Sequence, residues 1–145
     1  MTIRKVIPAD REEYVEMART FYASPAVIKS VPESNFHLTF DECLSSDSLC
    51  ECLIIEHSGA IAGYGLILKS FSQEAGGRVI WFDELFIKER YRGQGLGAEF
   101  FRYVLENYPA ARYRLEVERD NVRAVNLYKK LGFVFLEYSQ MIKGD

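Results

Sequence analysis

Arg90-Tyr91-Arg92-Gly93-Gln94-Gly95-Leu96-Gly97-Ala98 decides how this chain folds, because an apolar run ends just before it and an amphipathic pattern begins within it. Three glycines at alternate positions remove side chains from a turn, so its backbone N–H groups can converge on whatever lies at the start of the following helix. Unpaired N–H groups of a first helical turn and the helix macrodipole both favour an anion there. Arg90 and Arg92 add positive charge. The stretch therefore predicts a phosphorylated ligand at a helix entrance.

Immediately upstream, Val79-Ile80-Trp81-Phe82-Asp83-Glu84-Leu85-Phe86-Ile87 is the longest apolar strand candidate, interrupted by two adjacent acids. A strand apolar on both faces belongs inside a sheet, so acids placed there need a reason. Further back, residues 50–56 and 61–68 form a hairpin pattern around His57-Ser58-Gly59-Ala60, and Gly76-Gly77 closes the next connection. Residues 2–7 read as a first strand. A helix over about 9–23 carries Tyr14, Val15, Met17, Ala18 and Phe21 at helical spacing, with Asp10 at its entrance. Pro25 and Pro32 punctuate a loop before a second helix over about 35–45.

Downstream, Leu96, Phe100, Phe101, Val104, Leu105 and Tyr108 repeat helically until Pro109. Tyr113, Leu115 and Val117 alternate with Arg114, Glu116 and Glu118 as a strand with unlike faces. Asp120-Asn121 caps a helix that ends at Gly132, and residues 133–138 return as a final strand with a partner at 140–142. The order is β-α-α-β-β-β-α-β-α-β, with no internal repeat or low-complexity linker.

At 145 residues the chain has the size of one domain, 1–145. Its formal net charge of -3 argues against a broad nucleic-acid surface. No apolar run is long enough to span a bilayer, and the opening residues lack a signal h-region, so a cytoplasmic protein away from membranes is expected. Cys43, Cys50 and Cys52 cluster without a second Cys/His pair at ligand spacing, which predicts reduced packing thiols and no metal.

Two common phosphate motifs fail against the glycine stretch. A P-loop needs Lys-Ser or Lys-Thr after its last glycine, where this chain has Ala98-Glu99; the dinucleotide fingerprint fails because Gly93, Gly95 and Gly97 are evenly spaced. Arg92-Gly93-Gln94-Gly95-Leu96-Gly97 does match the Arg/Gln-x-x-Gly-x-Gly/Ala motif of the GNAT superfamily of N-acetyltransferases, and Glu84-Leu85-Phe86-Ile87 resembles the strand before it. A second family pattern, Asn-x-x-Ala-x-x-Leu-Tyr-x-x-x-Gly-Phe, runs from Asn121 through Ala124, Leu127, Tyr128 and Gly132 to Phe133. Two motifs in the right order make the resemblance strong, although residues from about 20 to 50 carry little of it.

The resemblance implies an α/β (α+β) GNAT fold, with a mixed central sheet of six to seven strands and helices on both faces. It implies acetyl-CoA as cosubstrate, its pyrophosphate on the N–H groups of Gly93, Gln94, Gly95, Leu96, Gly97 and Ala98, with Arg92 nearby. The pantetheine would pair like an added strand with backbone groups of Leu85, Phe86 and Ile87, and Asn121 would cap its helix and lie beside the cofactor. Tyr128 matches the tyrosine that donates a proton to the departing thiolate. Asp83 and Glu84 are alternative bases; because neighbouring strand residues face opposite sides, only one is expected to reach the substrate. Glu116 and Glu118 are either solvated or line the acceptor side, and His37 and His57 read as surface residues.

The implied activity is direct acetyl transfer to a primary amine of a small molecule or peptide, in a ternary complex, with no cysteine in the matched motifs to form an acyl-enzyme. The acceptor wall would include Phe21, Tyr22, Phe36, Tyr64, Trp81 and Phe82, and Glu33, Asp83 and Glu84 would suit a cationic amine such as a polyamine, aminoglycoside or amino-acid side chain. A noncatalytic acyl-CoA-binding or regulatory domain is the alternative. Homodimers are common in the family, and nothing in these residues selects for or against one.

Overall fold

The computed structural model describes residues 1–144. Five strands, β1 (Thr2–Lys5), β2 (Cys50–His57), β3 (Ala60–Ser72), β4 (Gly77–Ile87) and β5 (Arg112–Leu115), form one sheet in that order. The first four pair antiparallel, and β4 pairs parallel to β5. The helices are α1 (Arg11–Tyr22), α2 (Ser34–Ser45), α3 (Leu96–Asn107) and α4 (Val122–Lys130). Among the described residues no helix is long and apolar enough to cross a membrane.

Side-chain alternation on β2 explains why the sheet is covered on both faces. Cys52 and Ile54 join the α1–α2 core with Tyr14, Met17, Ala18, Phe36 and Phe40, whereas Leu53 and Ile55 join the α3 core with Phe100, Phe101 and Val104. The β2–β3 hairpin turns on Ser58 and Gly59, both at positive φ. At the β1–α1 corner the buried Asp10 carboxylate accepts from Ile7 N at 2.9 Å and from the Arg4 guanidinium at 2.8 and 3.0 Å. Gly65 lets β3 meet α3 closely, since a Cβ there would lie 2.0 Å from the Phe100 ring. Cys50 and Cys52 are buried beside α2 as free thiols, with Cys43 Sγ 3.5 Å from Cys50 Sγ.

Strand count is the one correction. Residues 133–144 have no regular secondary structure, so five strands form where six to seven were expected. Phe133 is packed against Phe82 and Phe101, and Phe135 lies under Arg119 and Lys129, while Val134 is exposed, which is the alternation the sequence shows. A cavity of about 610 Å³ bordered by Arg112, Leu115, Tyr128 and Val134 separates this segment from the short β5 edge. Alternation makes a segment extended; a ladder also needs a partner edge at hydrogen-bonding distance.

Candidate active site

β4 carries the site because it is irregular at one residue. Leu66 of β3 stands opposite Glu84 and Ile67 stands opposite Phe82, so Asp83 is the extra residue of a β-bulge. Pairing with β5 runs only from Val79 to Phe82, and β4 then continues to Ile87. Beyond the bulge the β5-facing edge of β4 has no strand beside it.

The bulge also overrides simple alternation. Phe82 packs on Phe101 at 4.3 Å on the α3 face, and Glu84 and Phe86 lie on the α1–α2 face, with Leu85 and Ile87 back towards α3. Asp83 and Glu84 therefore act on the same neighbourhood: both raise the Tyr22 hydroxyl, and Glu84 and Glu116 both act on Asp83. The strict alternation behind the expectation that only one of the two acids reaches the substrate is therefore interrupted at Asp83.

Their surroundings differ. Glu84 is 9% exposed and its carboxylate accepts from Tyr22 Oη at 2.5 Å and from Tyr64 Oη at 2.7 Å. Burial pushes its pKa up while the two hydroxyls oppose that shift. Asp83 keeps contact with solvent, but the surrounding protein desolvates it and Glu84 and Glu116 repel its charge, which together raise it to about 6. Tyr22 ends α1 and packs on Phe36 of α2 at 5.3 Å, so the first two helices and the sheet share a wall at these acids.

On the other side of β4 lies the glycine turn. Gly93 and Gly95 sit at φ +75 and +81 with nothing within 4 Å of an added Cβ. Gly95 is the N-cap of α3 and offers no side-chain cap, so the first N–H groups of Leu96, Gly97 and Ala98 are available to an anion. An open cradle, a helix entrance and an unpaired strand edge side by side fit a long ligand with a pyrophosphate. Arg92 braces this arrangement, its Nε donating to Ile87 O at 2.8 Å. Gln94 Nε2 lies 3.4 Å from Arg90 O, and Arg90 folds over the Tyr91 ring.

Asn121 caps α4, its Oδ1 accepting from Ala124 N at 3.3 Å. Tyr128 projects from α4 against Phe101 and Phe133, at 5.3 and 6.2 Å, and burial raises its hydroxyl. His37 sits near Arg11 on α2, away from these groups, and His57 packs against Tyr91 beside the glycine turn. Sequence reasoning missed the Tyr22–Glu84–Tyr64 hydrogen bonds; a bulge in the fourth strand is implied by the family resemblance, but its position at Asp83 is not legible in the residues. Two aromatics and an acid spread over three elements carry no local spacing signal. Among the described residues no group of three or more His, Cys, Asp or Glu is placed to hold a metal ion.

Residues 12–133 match the family model described as Acetyltransferase (GNAT) family, and the chain belongs to that family. It is 36% identical over 78 residues to a spermine/spermidine N(1)-acetyltransferase of Bacillus subtilis (strain 168), a stretch covering 51% of each chain. It is 32% identical over 108 residues to a thialysine N-epsilon-acetyltransferase of Mus musculus, 63% of each. The chain thus spans between about half and two thirds of the length of these curated relatives. In fold it resembles a possible acetyltransferase from Clostridium difficile 630, with a TM-score of 0.83 at 15% identity, covering 99% of this chain and 97% of that one. It also resembles AAC(6')-Iy in complex with a bisubstrate CoA analog, with a TM-score of 0.79 at 14% identity and the same coverage.

Proposed function

We propose that the chain is an acetyl-CoA-dependent N-acetyltransferase that moves an acetyl group to a primary amine in a ternary complex. The observation that carries this reading is the bulge at Asp83, which opens the β4 edge between a glycine-capped helix entrance and two acids. The relatives' activities, spermine or spermidine and thialysine acetylation, support a cationic amine as acceptor.

Bound at the open edge, acetyl-CoA supplies the acetyl thioester: a C–N bond to the amine forms, the C–S bond breaks, and the thiolate needs a proton. Gly93 to Ala98 hold its pyrophosphate on backbone N–H groups, and Leu85, Phe86 and Ile87 lie along its arm. The Ile87 carbonyl is already accepting from Arg92, so Arg92 contributes by holding the turn against the strand. Asp83 takes the proton of the incoming ammonium, because among the described residues no side chain donates to its carboxylate and its raised pKa makes it a better acceptor. Glu84 fixes the Tyr22 and Tyr64 hydroxyls beside the amine. Tyr128, whose hydroxyl is raised by burial, gives its proton to the sulfur, and its phenolate is reprotonated by the second proton that the nitrogen sheds as the amide forms.

The same reading takes the chain as one catalytic domain in the cytoplasm, as a monomer or homodimer, with no nucleic acid or membrane partner. The formal charge of -3 supports the absence of a nucleic-acid partner. The test is CoA release from acetyl-CoA over a panel of primary amines. Turnover on at least one amine that falls with Asp83→Asn is expected. Cofactor binding without turnover on any amine would instead support a noncatalytic acyl-CoA-binding domain.

A further inference from the structure

One charged side chain on the acceptor face is not used by the chemistry above. Parallel pairing of β4 with β5 sets Arg114 beside Trp81, and its guanidinium lies 4.3 Å from the Trp81 ring centroid. Tyr113, the preceding residue, packs on Phe82 on the α3 face, so Arg114 points to the opposite side of the sheet. Trp81 shares that side, since its cross-strand neighbour Leu68 packs with the α1–α2 core. Asp83 follows two residues further along the same strand, at the bulge.

A guanidinium stacked on an indole uses its face and leaves its N–H edge free, and that edge matches a carboxylate bidentately. Among the described residues no carboxylate forms an ion pair with Arg114. Glu74, the acid nearest in effect, is held by Arg112 at 2.7 Å and by Tyr138 Oη at 2.9 Å. The acceptor face thus runs from a cation on an aromatic ring to Asp83 and Glu84, with Glu116 close enough to act on Asp83.

We propose that Arg114 selects an acceptor carrying a carboxylate at the far end from its reacting amine, a lysine-like amino acid instead of a simple polyamine. The amine lies at Asp83 and Glu84, and the carboxylate lies on the N–H edge of Arg114; the extended side chain of an ω-amino acid spans the interval. A polyamine would set its second ammonium against the guanidinium, a like-charge contact that specificity devices use to reject a competitor. The inference rests on the proposed acetyl transfer at this site.

The test compares lysine with cadaverine, which differ only by the carboxylate, as acceptors in a CoA-release assay. The wild-type chain is expected to favour lysine in kcat/KM by about tenfold or more, a charge-assisted bidentate contact being of that order. Arg114→Met, which keeps an apolar side chain on Trp81, is expected to collapse the lysine-to-cadaverine ratio through KM, and Arg114→Lys to restore part of it. Thermal melts of both variants check that they fold. Equal use of the two acceptors by the wild type, preference for cadaverine, or an unchanged ratio in Arg114→Met overturns the assignment, as does turnover on other amines with neither of these. Absence of turnover on every amine in the panel sinks the acetyl-transfer reading itself, a distinguishable failure.

Discussion

Asp83 and Glu84 are neighbours in the chain, yet they are held by different means, and this separates their chemistry. Glu84 is buried and already accepts two tyrosine hydroxyls; Asp83 is exposed and, among the described residues, accepts from no protein donor. A base must be ionised to accept a proton, and Asp83 is raised from 3.8 to about 6, so the carboxylate is protonated below that value and available above it. Activity measured as kcat/KM is therefore expected to rise with pH through about 6. Asp83→Asn should remove that limb and lower the plateau about 100-fold. A limb that survives in Asp83→Asn, and is lost in Glu84→Gln, would transfer the role to Glu84. Tyr128 supplies the complementary test. Burial raises its hydroxyl, so it stays protonated at neutral pH and has a proton to give. Tyr128→Phe keeps the ring that packs on Phe101 and Phe133 and should leave acetyl-CoA affinity intact in a titration while reducing kcat about 100-fold.

At the scale of elements, legibility follows how far a feature reaches. The glycine turn could be read from nine consecutive residues because its requirements are local: positive φ at Gly93 and Gly95, and a helix beginning at Leu96. The acids of β4 could be found for the same reason. Their orientation could not, since the bulge exists only in the register of β4 against Leu66 and Ile67 of another strand. Residues 133–138 show the converse: an alternating pattern is present, but the β5 edge it would join ends at Leu115 and lies across a cavity. Arg114 was read only as one face of an alternating strand, and its partner Trp81 is 33 residues earlier. The turn itself yields a prediction. Gly95→Ala places a Cβ at φ +81, a left-handed backbone that costs about 1–2 kcal/mol for other residues. With nothing within 4 Å of that Cβ, the cost is conformational instead of steric. Thermal unfolding should drop by roughly 2–8 °C for a chain of this size, and acetyl-CoA affinity should fall with it because the first N–H groups of α3 are re-aimed. Full affinity in a folded Gly95→Ala protein would detach the turn from the pyrophosphate.

Across the whole molecule, stability and chemistry depend on acids that resemble each other in burial and differ in partners. Glu51, on β2, is buried like Glu84, but it faces cations. Its carboxylate pairs with Lys69 of β3 at 2.5 Å and Lys5 of β1 at 3.3 Å, and accepts from Tyr108 Oη, just past α3, at 3.0 Å. Lys69 Nζ in turn donates to Asp47 O at 2.6 Å, so one acid ties the loop after α2, three strands and the end of α3. Lys5 is largely exposed and contributes little, whereas the Lys69 side chain is 10% exposed and would be left as a buried cation without its counter-ion. Removing one member of such a pair costs about 3–5 kcal/mol, more than replacing both would. Glu51→Ala should therefore lower Tm by roughly 6–20 °C in thermal denaturation. The double variant Glu51→Leu with Lys69→Met, which removes both charges, should recover much of that loss. None of these groups borders the glycine turn or the bulge, so acetyl-CoA affinity of the folded fraction should be unchanged in both variants. A Glu51→Ala protein as stable as the wild type would mean that the Asp47 carbonyl and solvent suffice to hold Lys69, and that the sheet and α3 are joined by their apolar contacts alone.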